Sequence, residues 1–322
     1  MNDILPFLFA LYPLGLSGLT LVWLYRARKP SRLHWTMHVL TGGSMIGFVY
    51  LAGPWVFTSY HLRYVVLGLF ILVTLGSYRR MERSEQAPAA RNVSRPVFST
   101  MVLMFFTGLN IVIVTSPYRQ RASLDLTFPL AAGAYAVLQG GDNLITNPFH
   151  ASSGNPYALD LTKLNAAGNR AKGVAPRDLN AYAIFGETLH SPCSGRVLRL
   201  RDGMPDNVPG EVDTQRPEGN FILLECAEAQ VLMAHLRQGS VRVAAGERVT
   251  TGQRLGDIGN SGNTLEPHLH IEAKMGEAHI PLKFDGRSLS INSVVHAVTR
   301  QPNRRPNRRR AAPRLPVSGF VV

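Results

Sequence analysis

The sequence predicts an N-terminal four-helix transmembrane region followed by a mainly antiparallel β domain. Three observations carry this reading. Four long apolar segments crowd into the first 121 residues. From Leu124 onward, short apolar and β-branched runs alternate with Gly, Pro, Asn and Asp stops. The charge divides along the same lines: residues 1–121 hold 12 Lys and Arg against three Asp and Glu, residues 122–299 hold 15 against 18, and residues 300–322 hold seven basic residues and no acidic one. The net charge of +13 therefore belongs to the loops between apolar segments and to the tail. The middle region is near neutral, and no nucleic-acid partner is expected. These shifts divide the chain into a membrane domain over 1–121, an outward-facing domain over 122–299 and a basic tail over 300–322.

The apolar segments run over Ile4–Tyr25, Trp35–Phe57, Tyr64–Tyr78 and Val97–Ser116. Crossing a bilayer takes about 20 apolar residues. The first, second and fourth segments meet that length, while the third needs Leu62 and its flanks. The first is read as a retained span, because Asp3 precedes it and no basic residue appears before Arg26. Arg26, Arg28, Lys29 and Arg32 follow the first span, and Arg79, Arg80, Arg83, Arg91 and Arg95 follow the third. The other side carries Arg63, Arg119 and Arg121. This asymmetry places the basic loops in the cytoplasm, and the N-terminus and everything after Ser116 outside. Spans one, two and four contain no Asp, Glu, Lys or Arg, and His38 is the ionisable side chain well inside one of them. An anchor is therefore expected rather than a transport or channel domain.

In the outward domain, Leu124–Leu130 and Ala134–Gln139 read as strands ahead of Gly140-Gly141. So do Gly195–Leu200, Asn220–Cys226, Gln230–Leu236, Ser240–Val243, Leu255–Ile258 and His268–Glu272. No long 3.6-residue stripe interrupts them, so the domain reads as mostly antiparallel β. Cys193 and Cys226 flank the Gly195–Leu200 and Asn220–Cys226 runs. A hairpin would bring them face to face as a disulfide, and two buried thiols fit the sequence as well. The loop Arg201–Gly219 either borders a cleft or only joins two strands. The Pro- and Arg-rich tail from Arg300 has the composition of a disordered extension, able to bind anionic lipid or polymer.

The chemistry-bearing residues gather around Pro267-His268-Leu269-His270. In an extended segment both histidines point to one face. Alone, such a pair is also an ordinary surface feature. His150 sits in a loop, Asp160 at the start of a strand and His235 at a strand end, and each has a purely structural reading. As a set they read differently. Two His and one carboxylate suit a hydrolytic zinc site with an open fourth position, and two further histidines suit proton transfer and charge stabilisation.

The run from Val241 through Ala245-Gly246-Glu247, Gly252-Gln253-Arg254-Leu255-Gly256-Asp257-Ile258-Gly259-Asn260-Ser261-Gly262 to Pro267-His268-Leu269-His270 resembles the lysostaphin-type (LytM-like) zinc endopeptidases. The resemblance extends upstream through Tyr157-Ala158-Leu159-Asp160 and Ile184-Phe185-Gly186, covering about residues 124–290. It implies a LytM-like, duplicated hybrid-motif-like β fold. It also implies that His150, Asp160 and His270 bind one Zn2+, and that His235 and His268 are the catalytic histidines outside the metal shell. The implied reaction is hydrolysis of peptidoglycan peptide cross-links by water activated on the metal. The implied setting is a multi-pass protein of the bacterial inner membrane, its peptidase domain facing the periplasm or exterior. Expected partners are peptidoglycan peptide, membrane lipid and, at the tail, anionic polymer or lipid. Many family members place the carboxylate four residues after the first histidine; here Gly154 holds that position and Asp160 lies ten residues on. A non-catalytic wall-binding or hydrolase-activating module is the alternative, although candidates for all five functional side chains are present.

Overall fold

The computed structural model describes residues 4–27, 31–84, 96–116 and 123–298. The basic tail from Arg300, and the loop residues Arg28, Lys29, Arg91, Arg95, Arg119 and Arg121, lie outside the described residues. Four long helices come first: α1 (Leu5–Arg26), α2 (Arg32–Ala52), α3 (Leu62–Ser84) and α4 (Pro96–Thr115). Among the described residues three of them are long and apolar enough to cross a membrane: α1, α3 over Leu62–Met81, and α4 over Val97–Thr115. The third segment is thus longer than its apolar run suggested. The second, α2, is the helix that falls outside this set.

α2 is more polar than those three spans, with His34, Thr36, His38, Thr41, Ser44 and three glycines. Part of that polarity, including buried His38 and Thr41, is turned toward the other helices. Trp35 Nε1 donates to Ser77 Oγ of α3 at 3.0 Å, and Thr41 Oγ1 to the Ser99 carbonyl of α4 at 3.2 Å. Asn110 Nδ2 of α4 donates to the Ser44 carbonyl at 2.9 Å, and His38 stacks on Trp23 of α1. A Cβ on Gly42, Gly43 or Gly47 would meet Phe70, Thr20 or Asn110 within 3.6 Å. Small residues and interhelical hydrogen bonds are what hold helices together where apolar burial gives no net drive.

The strands are, in chain order, β1 (Leu124–Leu126), β2 (Gly133–Gln139), β3 (Leu159–Leu164), β4 (Thr188–His190), β5 (Gly195–Arg201), β6 (Asn220–Cys226), β7 (Ala229–Leu236), β8 (Arg248–Val249), β9 (Arg254–Asp257), β10 (Leu269–Met275), β11 (Ala278–Ile280), β12 (Leu282–Phe284), β13 (Arg287–Ser288) and β14 (Val294–Ala297). The main sheet runs β14-β2-β3-β10-β7-β6-β5-β8, with β11 also on β10, and all its neighbours are antiparallel. A parallel β1–β12 pair extends into β13, and β4 pairs with β9. The expected strand over Ser240–Val243 is not formed. That segment pairs through Arg242 N to the Leu255 carbonyl, and packs Val241 and Val243 on the core, before turning at Ala244–Glu247.

Period-two alternation sets the core. Leu269, Ile271 and Ala273 of β10 are buried with Leu159 and Leu161 of β3 and Val231 and Met233 of β7. Each such Leu, Ile or Val contributes about 1.5–3 kcal/mol by leaving water. Their neighbours His268, His270 and Glu272 are left on the opposite face. Cys193 and Cys226 form a disulfide, with Cα atoms 5.8 Å apart. This closes the start of β5 against the end of β6, the first of the two options the sequence leaves open.

The sheet rests on one end of the helix bundle. Ala10, Val56 and Phe57 pack with Ala136 of β2 and Leu164 of β3. Tyr60 N donates to the Gly168 carbonyl at 2.8 Å, Arg170 N to Val56 O at 3.1 Å, and Asn292 Nδ2 to the carbonyls of Leu51 and Gly53 at 2.9 and 2.8 Å. The contacts come from the start of α1 and the α2–α3 connection, which share that end.

Candidate active site

Strand register brings the first two site residues together. His270 of β10 lies opposite Asp160 of β3, and Asp160 lies opposite Gln139 at a bulge in β2. His150 arrives from a short helix, α5 (Pro148–Ser152), in the connection between β2 and β3. Buried Asn147 anchors that connection by donating from Nδ2 to the carbonyls of Pro156 and Ala158 at 2.8 and 2.9 Å. Gln139 ties both sides together: its Oε1 accepts from Phe149 N at 3.1 Å, and its Nε2 donates to Asp160 Oδ2 at 3.3 Å. The ten-residue spacing between His150 and Asp160 is therefore bridged by a folded loop.

His150 Nε2 lies 2.8 Å from Asp160 Oδ2, and His270 Nδ1 lies 3.1 Å from Asp160 Oδ1. One ligand atom from each of His150, Asp160 and His270 lies within 4.8 Å of the others. Two imidazole nitrogens and a carboxylate oxygen, largely screened from water, form the donor set that suits a tetrahedral zinc site with one open position. The far side of His270 strengthens the fit, because its Nε2 faces Glu272 Oε2 at 3.5 Å. A carboxylate behind a ligating imidazole holds the ring's tautomer and orientation.

His235 and His268 line the same cleft. Their ring centroids are 4.8 Å apart, and His235 stands 5.8 Å from His270. Each commits Nδ1 to a backbone carbonyl: His235 to Ser261 at 2.9 Å, His268 to Glu266 at 2.8 Å. Carbonyls only accept, so Nδ1 carries the proton, and Nε2 is the nitrogen left for the cleft. His268 Nε2 lies 3.5 Å from Asp160 Oδ1. His235 adopts φ 64°, in the left-handed region. Its N–H donates to the Glu218 carbonyl and its own carbonyl accepts from Gly259 N, at 3.1 and 3.0 Å. Such a conformation costs of order 1–3 kcal/mol and persists where its surroundings enforce it.

The glycine-rich lead-in to His268 is needed sterically. A Cβ on Gly259 would strike the Arg237 backbone and Asp206, and Gly262, at φ 88°, lies against Gly219 and Pro217. The Arg201–Gly219 loop clamps this segment. Asn207 Nδ2 donates to the Gly262 carbonyl at 2.6 Å, Gly210 N to Leu265 O at 2.8 Å and Asp213 N to Gly262 O at 2.9 Å. That loop borders the cleft through Pro209, Gly210 and Val212, as well as joining β5 to β6.

Electrostatics separate the four groups at the centre. Burial acts to raise the Asp160 pKa, but His150 and His268 beside it hold the carboxyl well below the usual carboxylate range. Burial would lower His270, yet its hydrogen bonds to Asp160 and Glu272 push it up to about 9. His268 is also raised, by Asp160 against the effect of burial. His235 is held well below the usual value, first by burial and then by His268 and His270.

All five residues expected from the sequence thus meet in one cleft. Four supporting groups were not foreseen: Gln139, Glu272, Glu266 and the Ser261 carbonyl. Glu272 had a signal, since it continues the period-two face of His268 and His270. The others are set by long-range register and loop closure, which leave no local pattern.

The family model described as Peptidase family M23 matches residues 179–281. The match includes His235, His268 and His270 and begins after His150 and Asp160. Among solved structures, the chain is similar to a protein assigned as peptidase M23 from Pseudomonas aeruginosa, at 17% identity over 54% of this chain and 57% of that one, TM-score 0.29. It is similar to a zinc containing peptidase from Vibrio cholerae, at 20% identity over 38% and 48% of the two chains, TM-score 0.24. It is also similar to the catalytic domain of the antimicrobial peptidase lysostaphin from Staphylococcus simulans, at 19% identity over 37% and 84%, TM-score 0.21. The chain spans 57% and 48% of the lengths of the first two. No curated protein matches it.

Proposed function

Taking as premise that the chain carries a Peptidase family M23 domain over residues 179–281, we propose that it is a membrane-anchored zinc endopeptidase of peptidoglycan peptide cross-links. The observation that carries this is the convergence of His150, Asp160 and His270 beside two more histidines in one cleft. In this reading residues 1–121 are the membrane domain, with four spans in the bacterial inner membrane. Residues 122–299 are the peptidase domain, facing the periplasm or exterior, and residues 300–322 are a basic tail for anionic lipid or polymer. Three helices of sufficient length and apolarity support the anchor. The interhelical hydrogen bonds of α2 support its inclusion as the fourth span.

His150, Asp160 and His270 would hold the ion, whose chemistry when bound is that of a Lewis acid activating water and polarising the scissile carbonyl. His235 and His268 do the proton work. With Nδ1 fixed on a carbonyl, Nε2 of either can take the proton of the attacking water and return it to the leaving amine. The second imidazole, once protonated, donates to the oxygen that gains charge; losing such a donor costs about 2.7–4 kcal/mol of barrier. Glu266 and Ser261, through their carbonyls, keep both rings in the working tautomer.

The test is digestion of purified peptidoglycan by the full chain in detergent, with mass spectrometry of the released muropeptides. New peptide termini should appear with the wild type and be absent with His270→Ala. Cleavage by His270→Ala at the wild-type rate would contradict the proposal, as would a zinc-loaded wild type that cleaves nothing.

A further inference from the structure

A single cavity of about 820 Å3 joins the candidate active site to the first helix. At one end its walls are His150, Asp160, His235 and His268; at the other they are Leu5, Phe7 and Tyr12 of α1. Among the described residues the apolar end is left open, with Phe7 50% and Tyr12 36% exposed. These residues lie in the first two turns of a helix long and apolar enough to cross a membrane. From Leu5 to Tyr12 is about 10 Å of helix. The apolar wall therefore stands where α1 enters the bilayer on the side of the β domain.

Among the described residues nothing lifts the site away from that level. The β domain packs directly on Ala10, Val56 and Phe57 at the same end of the bundle. Only eight residues separate Thr115 of α4 from Leu124 of β1, at most about 32 Å of fully extended chain over the nine steps. A cavity of this size lies within the range of about 300–1,000 Å3 of sites that enclose most of a small ligand. It has one end chemically suited to a peptide bond and the other to hydrocarbon.

We propose that the substrate is an amphiphile: a peptide whose carrier holds a lipid chain in the outer leaflet. Its peptide bond lies at His150 and Asp160, while its apolar part runs along Leu5, Phe7 and Tyr12. This rests on the reading of the site as a peptidase, and narrows it from wall polymer in general to peptide tethered at the membrane surface.

The test uses the full chain in phospholipid nanodiscs and one cross-linked stem peptide in two forms, free and palmitoylated. Partition into the bilayer favours the palmitoylated form for any membrane-bound enzyme, so the decisive comparison is between variants. The wild type should show a ratio of kcat/KM, palmitoylated over free, that exceeds that of Leu5→Ser/Phe7→Ser by about tenfold, the factor supplied by burying about two methylene groups. Leu8→Ser, on the same turns but outside the cavity wall, should keep the wild-type ratio. An unchanged ratio in Leu5→Ser/Phe7→Ser overturns the proposal, as does an equal loss in Leu8→Ser. If the wild type cleaves neither form, the peptidase reading fails, and fluorescent versions of the two peptides are titrated for binding. Preferential binding of the palmitoylated form that is lost in Leu5→Ser/Phe7→Ser then upholds the amphiphile site by itself. Equal binding by both proteins removes it.

Discussion

His270 is gripped by two carboxylates, with Asp160 on Nδ1 and Glu272 on Nε2. Without metal both nitrogens hold protons up to about pH 9, whereas a ligating imidazole must give one up. Zinc binding at pH 7.5 should therefore release about one proton from this residue, and affinity should rise about tenfold per pH unit toward 9. Calorimetry in buffers of different ionisation heat measures both. The sign is fixed by the direction of the shift: a raised histidine stabilises the metal-free fold below its ordinary value, and that contribution is lost as pH climbs through about 9. Glu272→Gln should lower zinc affinity by about 10–100-fold while leaving the fold intact. Unchanged affinity would show that Glu272 does not orient the ring. The face shared by His268, His270 and Glu272 was legible, because strand alternation is local. The meeting of His270 with Asp160 was not, because it depends on the register of two strands 110 residues apart.

At the scale of elements, the link between helices and site runs through Arg170. Its side chain is 1% exposed, and it donates from Nε and Nη2 to the two carboxylate oxygens of Glu266 at 2.6 and 2.7 Å. Its guanidinium lies 3.6 Å from the centroid of the Phe57 ring, in the α2–α3 connection. The Glu266 carbonyl in turn holds His268 Nδ1. Arg170→Met leaves a largely buried carboxylate uncompensated, and should cost about 3–5 kcal/mol of stability. Arg170→Met/Glu266→Leu should recover much of that. Thermal unfolding of the detergent-solubilised chain reads both, and a double variant no more stable than the single one would contradict a direct pair. Neither residue stands out in the sequence, since a lone Arg and a lone Glu 96 positions apart carry no local signal. Strands β1 to β3, β5 to β7, β9 and β10 were legible from alternation and glycine stops, whereas the two- to four-residue strands β4, β8 and β11 to β14 were too short to show a pattern. The segment Ser240–Val243 shows the limit: its apolar side chains reach the core, but the turn at Ala244–Glu247 ends pairing before a ladder forms.

Over the whole molecule, helices and β domain act as one frame around the cleft. The sequence marked an apolar first third and a β-rich remainder, and it marked the five side chains that converge. It did not show that α1 helps to wall the cavity, because nothing in an apolar helix tells which soluble residues it will face. Nor did it show that α2 carries part of its polarity inward, toward α1, α3 and α4. The five residues divide the labour between holding metal and moving protons, and metal analysis paired with cleavage assays separates the two roles. The purified chain should hold one zinc. Alanine at His150, Asp160 or His270 should remove both zinc and cleavage, whereas alanine at His235 or His268 should keep the zinc and remove the cleavage. Full zinc in the first three variants, or its loss from the last two, would show that the five residues do not divide in this way.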